Sequence, residues 1–155
     1  MIDLEVEYHV PSATRDDARF HLAAKWIVDR FQLNSLTASI SVVSDPTIHR
    51  LNREHLDHDW PTDVISFVFD CKEGNIDGEI IASIDTAARL SQQAGWSAAD
   101  ELLLYIIHGL LHLAGLDDVS ADDRLQMRQT ERACLLALSV PFAQNHLDRW
   151  DSISY

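Results

Sequence analysis

Leu102-Leu103-Leu104-Tyr105-Ile106-Ile107-His108-Gly109-Leu110-Leu111-His112-Leu113-Ala114-Gly115-Leu116-Asp117-Asp118 is the stretch from which the rest of the chain is read. Its first six residues are apolar, of a length and type that suit a buried helix. On that helix His108 and His112 stand at i and i+4, so both imidazoles leave one face about one turn apart. Gly115 predicts the stop, because glycine takes the left-handed conformation that ends a helix. The chain then turns back, and Asp117 or Asp118 can meet the two histidines. Two imidazoles, a carboxylate and one open position are the donor set of a catalytic zinc site. A His pair at this spacing also occurs in cores without a metal. The paired acids beside an apolar helix end turn the reading toward a metal, since carboxylates are rarely placed there without a partner. Gly109 stands where the zinc-protease pattern H-E-x-x-H needs its general-base Glu, so peptidase chemistry is disfavoured.

The chain has 155 residues, 46% of them apolar, enough for one domain with a substantial core. No apolar run approaches membrane-spanning length, and the start, Met1-Ile2-Asp3-Leu4-Glu5, lacks the basic and apolar segments of a signal peptide. Cys71 and Cys134 give neither a disulfide framework nor a CxxC pair. The expectation is a cytoplasmic protein with no membrane partner. Twelve basic against 25 acidic side chains leave a net charge of −13, which opposes non-specific attraction to nucleic acid. A nucleic-acid partner therefore has to meet a metal or a local basic patch, and ten of the twelve basic residues are Arg, the better phosphate ligand.

Around the central helix the other elements fall into place. Ile2 to Tyr8 alternates apolar and polar residues and predicts a strand with one wet face. Ser12 is positioned to cap a helix over about Arg15 to Phe31, with Phe20, Ala23, Ala24, Ile27 and Phe31 on one side. Ala38 to Ser44 reads as a strand, and Asp45-Pro46 opens a short helix ending near Leu56. His55 to Thr62 is polar and broken by Pro61, hence a loop. Val64 to Phe69 and Gly78 to Ile84 read as a hairpin with a longer connection over Lys72 to Asp77. A helix over Thr86 to Ala94 ends at Gly95. Ser97 with Asp100 caps the central helix, and Ser120 with Asp123 caps a last one to about Leu138. Arg124, Arg128 and Arg132 form a basic stripe on that last helix. The tail from Pro141 has no clear pattern. The fold class is α/β (α+β): a four-stranded mixed sheet with about five helices, the central one packed under it. That packing puts a metal at the helix end, beside the 55–62 loop.

His108-Gly109-x-Leu111-His112-Leu113-x-Gly115-x-Asp117 resembles the H-G-x-L-H-L-x-G-Y-D-H signature of the YbeY family. Leu51-Asn52 and Asp59-x-Pro61-Thr62-Asp63-Val64-Ile65-Ser66-Phe67 resemble its L-N and D-x-P-T-D-V-L-S-F segments. Gly78-Glu79-Ile80 stands for its G-D-I, and Met127 and Glu131 fall at its downstream Met and Glu. The likeness runs over about residues 45 to 135. These family members are bacterial endoribonucleases of ribosomal RNA maturation, built on a four-stranded sheet with helices. Asp118 stands where the family has its third metal-binding His, and Leu56 where it has an Arg. Leu116 replaces a Tyr.

The resemblance implies one zinc ion per chain on His108, His112 and Asp118, and RNA, within ribosomal particles, as partner. The expected reaction is metal-assisted phosphodiester hydrolysis, with the neighbouring 2′-OH of RNA as an alternative nucleophile. Asp117 is the candidate carboxylate that orients a ligand or accepts a proton. His58 is the candidate for the positive charge lost at Leu56. Arg50, Arg53, Thr62 and Ser66 are the candidate substrate-binding residues. Two other functions compete: a ribosome-associated assembly factor that keeps fold and metal without cutting, and a metal-dependent hydrolase of another substrate. An anionic third ligand also weakens a metal as a Lewis acid.

Overall fold

The computed structural model describes residues 1–11, 14–56, 63–141 and 143. Strands and helices succeed one another as β1 (Ile2–Tyr8), α1 (Asp17–Phe31), β2 (Ser35–Val43), α2 (Asp45–Leu56), β3 (Val64–Lys72), β4 (Asn75–Ser83), α3 (Ile84–Ala94), α4 (Ala98–Leu113) and α5 (Ala121–Ala137). The sheet order is β1-β2-β4-β3; β1, β2 and β4 run parallel, and β3 pairs antiparallel with β4 at one edge. Among the described residues this is the four-stranded mixed sheet with five helices that the pattern predicts.

Alternation along the strands decides which face is covered. Leu4, Ala38 and Gly78 share one register row, and Val6, Ile40 and Ile80 the next. That side belongs to the main core with α1, α4 and α5. The opposite side carries Asp3, Glu5 and Glu7 on β1, beside Thr37, Ser39 and Ser41 on β2. Among the described residues it is covered toward β3, where Ile48 of α2 packs with Val43, Ile65 and Ile81. So α2 lies on one face of the sheet and α4 on the other.

Helix α4 is the centre of the main core. Leu102 to Ile107, Leu110, Leu111 and Leu113 are all buried. Burying a Leu or Ile side chain contributes roughly 1.5–3 kcal/mol relative to exposure, so this helix dominates the apolar stabilisation. Its start is fixed by Ser97, whose side chain accepts the Asp100 N–H at 3.1 Å. Arg19 of α1 reaches Asp100 at 2.7 Å and Asp16 on its own side, tying the two helix starts together. Close approach to the sheet depends on Gly109: a Cβ there would lie 2.9 Å from Ile80 Cγ2. The helix closes at Ala114, and Gly115 takes φ +106 to reverse the chain.

Several boundaries differ from the sequence expectation. α1 starts at Asp17 with Asp16 at its cap position and no side-chain cap bond, while Ser12 lies outside the described residues. β2 begins at Ser35 rather than Ala38. The β3–β4 connection is tight: Glu73 and Gly74 both have positive φ, 54° and 78°, the two-residue turn that matches strand twist. The strands run up to it because Val68 to Lys72, with a register irregularity between Val68 and Asp70, is exposed and so shows no alternation to read.

Candidate metal centre

The two histidines arrive as their spacing dictates. His108 and His112 project from the last turns of α4 with their Nε2 atoms 3.0 Å apart and ring planes at 82°. The turn at Gly115 brings Asp118 back over the helix end, where its Oδ2 is 3.4 Å from each Nε2. These three donor atoms lie within 4.8 Å of one another. Ligands at 2.0–2.1 Å from a tetrahedral ion are separated by about 3.3 Å, so the observed triangle has the edge lengths of one face of such a site. The geometry fits three ligands that would hold one ion.

The surroundings favour positive charge at this point. Burial disfavours a charged His108, yet hydrogen bonding to Asp118 and Glu131 and the charges of Glu131 and Asp63 outweigh it and raise its pKa to about 9. Asp118 is lowered to about 2, first by its hydrogen bond with His108, against the opposing effect of burial. A metal cation and a proton compete for the same negative potential. His112 is set for a cation from behind. Its Nδ1 lies 3.0 Å from the Leu116 carbonyl, which only accepts, so Nδ1 carries the proton and Nε2 keeps its lone pair.

Asp117 is exposed, and its Oδ1 accepts the Asp118 N–H at 2.8 Å, shaping the loop that carries Asp118. The contacts behind the histidines come instead from the Leu116 carbonyl and Glu131. Ser66 pairs with Ile80 in the ladder and so shares the α4 side of the sheet. Arg50 and Arg53 are exposed on α2, across the sheet from α4. His58 and Thr62 lie outside the described residues. Arg124 holds the loop rim, its Nη1 donating to the Val119 carbonyl at 2.7 Å, one residue past Asp118.

Glu131 and Asp63 carry weight that residue spacing alone did not assign. Glu131 had one local signal: a charged residue on the apolar side of α5 with Met127, Cys134 and Leu135, all buried. The Leu116 carbonyl had none, because a main-chain acceptor leaves no trace in side-chain identity.

Residues 7–139 match the family model described as endoribonuclease YbeY. The endoribonuclease YbeY of Rhodopirellula baltica is 39% identical over an alignment of 113 residues that covers 70% of this chain and 58% of that protein. The endoribonuclease YbeY of Salinibacter ruber is 32% identical over 145 residues, 87% of this chain and 91% of that one. The solution structure of a Thermotoga maritima protein is similar with a TM-score of 0.61 at 22% identity, covering 93% of this chain and 95% of that chain, and so shows the same fold.

Proposed function

The chain belongs to the endoribonuclease YbeY family, and from that premise we propose that it is a zinc-dependent endoribonuclease that cuts single-stranded RNA in ribosomal RNA maturation, with ribosomal particles as its setting. The observation that carries this reading is the triangle of His108 Nε2, His112 Nε2 and Asp118 Oδ2 with edges of 3.0, 3.4 and 3.4 Å. In this reading those three residues hold the ion. When bound, zinc supplies Lewis acidity, polarising a phosphoryl oxygen and making a water acidic enough to act near neutral pH.

The chain's own side chains do the rest. His112 is held in one tautomer by the Leu116 carbonyl, so its lone pair needs no rearrangement as substrate arrives. Asp117, exposed beside the third ligand, is placed to accept a proton at the rim. Arg124 at that rim is the nearby guanidinium for a phosphate, which matters in a chain of net charge −13. Ser66 on the α4 side of β3, with Thr62 and His58 earlier in the sequence, and Arg50 and Arg53 of α2, complete the proposed RNA contacts. Single-stranded RNA suits a small pocket because its backbone bends freely.

One observation favours a second reading, an assembly factor that binds RNA without cutting it. Leu56 is exposed at the end of α2, and an apolar side chain there supplies no phosphate contact. Metal analysis of purified protein, paired with RNA cleavage by wild type and His112→Ala, tests both. About one zinc per chain and cleavage lost in the variant support the nuclease. Zinc without cleavage supports the assembly factor. Cleavage that survives His112→Ala unchanged overturns the site.

A further inference from the structure

Behind His108, on the side away from the metal triangle, stands a buried acid from a different helix. His108 Nδ1 is 3.5 Å from Glu131 Oε1, and Glu131 is 0% exposed. A carboxylate in that position costs several kcal/mol of lost hydration unless it is paired, on the order of what a buried ion loses after relaxation. Arg128, three residues earlier on α5, provides the pairing: its Nη1 donates to the same Oε1 at 3.0 Å. One oxygen therefore faces both a guanidinium and an imidazole nitrogen.

We propose that Glu131, held by Arg128, is the positioning residue that fixes His108 as a metal ligand through Nε2. This rests on the metal reading given above and adds what prepares the site. A carboxylate oxygen only accepts, so the ring nitrogen it faces carries the proton. A neutral imidazole has one N–H, and with that proton on Nδ1 the lone pair is on Nε2. His112 reaches the same state through the Leu116 carbonyl. Three acceptors thus converge: two imidazole lone pairs and the Asp118 carboxylate, 3.0 and 3.4 Å apart. With both rings neutral no donor remains among them, so the cluster takes up a cation, which is a metal ion or, in its absence, a proton.

The two orienting acceptors are not equivalent. The Leu116 carbonyl is neutral and belongs to the same turn as Asp118, so it reports on the loop. Glu131 is charged and sits on α5, so it couples His108 to the packing of α5 against α4. A carboxylate raises the basicity of the histidine it holds more than a carbonyl does. His108 is therefore the stronger donor of the pair. Arg128 donates to Oε1 and so fixes its direction.

The test uses the full chain with Glu131→Gln and Glu131→Leu, a zinc-competition titration, and 15N NMR of the histidine rings in the zinc-loaded state. Gln keeps an acceptor oxygen of the same reach without the charge; Leu removes the acceptor. Zinc affinity is expected to fall about 10-fold in Glu131→Gln and about 100-fold in Glu131→Leu, the range known for removal of a histidine's outer partner. His108 in the wild type is expected to show a proton on Nδ1 that exchanges faster in both variants, while His112, held elsewhere, keeps its signal. A residue that serves only packing would lower the melting temperature in chelator and leave zinc affinity and the His108 signal in place. Wild-type zinc affinity in either variant overturns the proposal, as does a His108 that binds zinc through Nδ1. If Glu131→Leu fails to fold, the isosteric Glu131→Gln decides alone. A wild type that takes up no zinc overturns the metal reading itself and this proposal with it. Zinc uptake by the wild type with no loss in Glu131→Gln overturns this proposal only.

Discussion

His112 faces the main-chain carbonyl of Leu116 at 3.0 Å across the turn made by Gly115. The residue that orients the second histidine therefore lies in the same five-residue reversal that delivers Asp118, and the conformation of Gly115 sets both. At φ +106 a side chain is strained, although nothing lies within 4 Å of where its Cβ would be. Gly115→Ala should accordingly cost about 1–3 kcal/mol through backbone strain alone. The loss is expected to be larger with zinc present than in chelator, because displacing the loop also moves Asp118. Thermal unfolding under both conditions checks this; equal losses would show that the loop is not coupled to metal.

Gly109 acts through contact rather than conformation. Its missing Cβ lets α4 lie on Ile80, whose Cγ2 would be 2.9 Å from an added methyl. Gly109→Ala is expected to destabilise by about 1–3 kcal/mol, as overpacking does in a close-packed core. Ile80→Ala leaves a cavity of its own, so the two changes together should cost less than their sum. A urea-denaturation double-mutant cycle measures that coupling, and strict additivity would mean the helix simply shifts away.

The pH response follows from the ion pair at the triangle when chelator keeps metal out. His108 is raised to about 9 from 6.5, so its contribution is fully present below pH 6.5 and is lost as pH rises through about 9. Asp118 is lowered to about 2 from 3.8, so its contribution is present above pH 3.8 and is lost as pH falls through about 2. Between those limits the two overlap, and chelated protein should be most stable from about pH 4 to 6.5. Zinc must displace the His108 proton, so zinc affinity should climb with pH toward about 9. NMR titration of the His108 ring in chelator, alongside melting curves, reads both; an Asp118→Asn variant should shift the His108 midpoint down.

What the sequence reveals and what it withholds divide along a physical line. β1 is legible because Ile2, Leu4 and Val6 are screened from water while Asp3, Glu5 and Glu7 are not, and the alternation records that difference. α4 is legible because twelve of its residues are buried, leaving a run too apolar for any other place. The end of β3 is not, since Val68 to Lys72 is exposed and its pairing with β4 is carried by main-chain bonds that any residue makes. In the site, His108 and His112 are tied by helical spacing, and Asp118 by a glycine turn. Glu131 meets His108 only through the packing of α5 on α4, so its role becomes visible with the tertiary structure. The Leu116 carbonyl has no residue-type signature at all.

Asp118 gives the sharpest test of the metal reading, because it is a carboxylate where the family signature has an imidazole. Its Oδ2 completes the triangle at 3.4 Å from both histidines, reached only because the turn after α4 brings the loop close. Asp118→Ala removes one of three donors and should weaken zinc binding by much more than Asp117→Ala, since Asp117 is exposed and contacts the Asp118 N–H rather than the triangle. Asp118→His exchanges an anionic donor for a neutral one at nearly the same bond length, about 2.0–2.2 Å for the carboxylate and about 2.0–2.1 Å for the imidazole. The imidazole is longer, so the loop has to retreat for the ion to be kept. With one negative ligand fewer, the ion becomes more electrophilic and its water more acidic, which should move the pH–rate profile of RNA cleavage to lower pH. Zinc-competition titration of the three variants is the measurement. If Asp118→Ala binds zinc like wild type while Asp117→Ala does not, the third ligand is Asp117, and the loop closes on the metal one residue earlier than the geometry indicates.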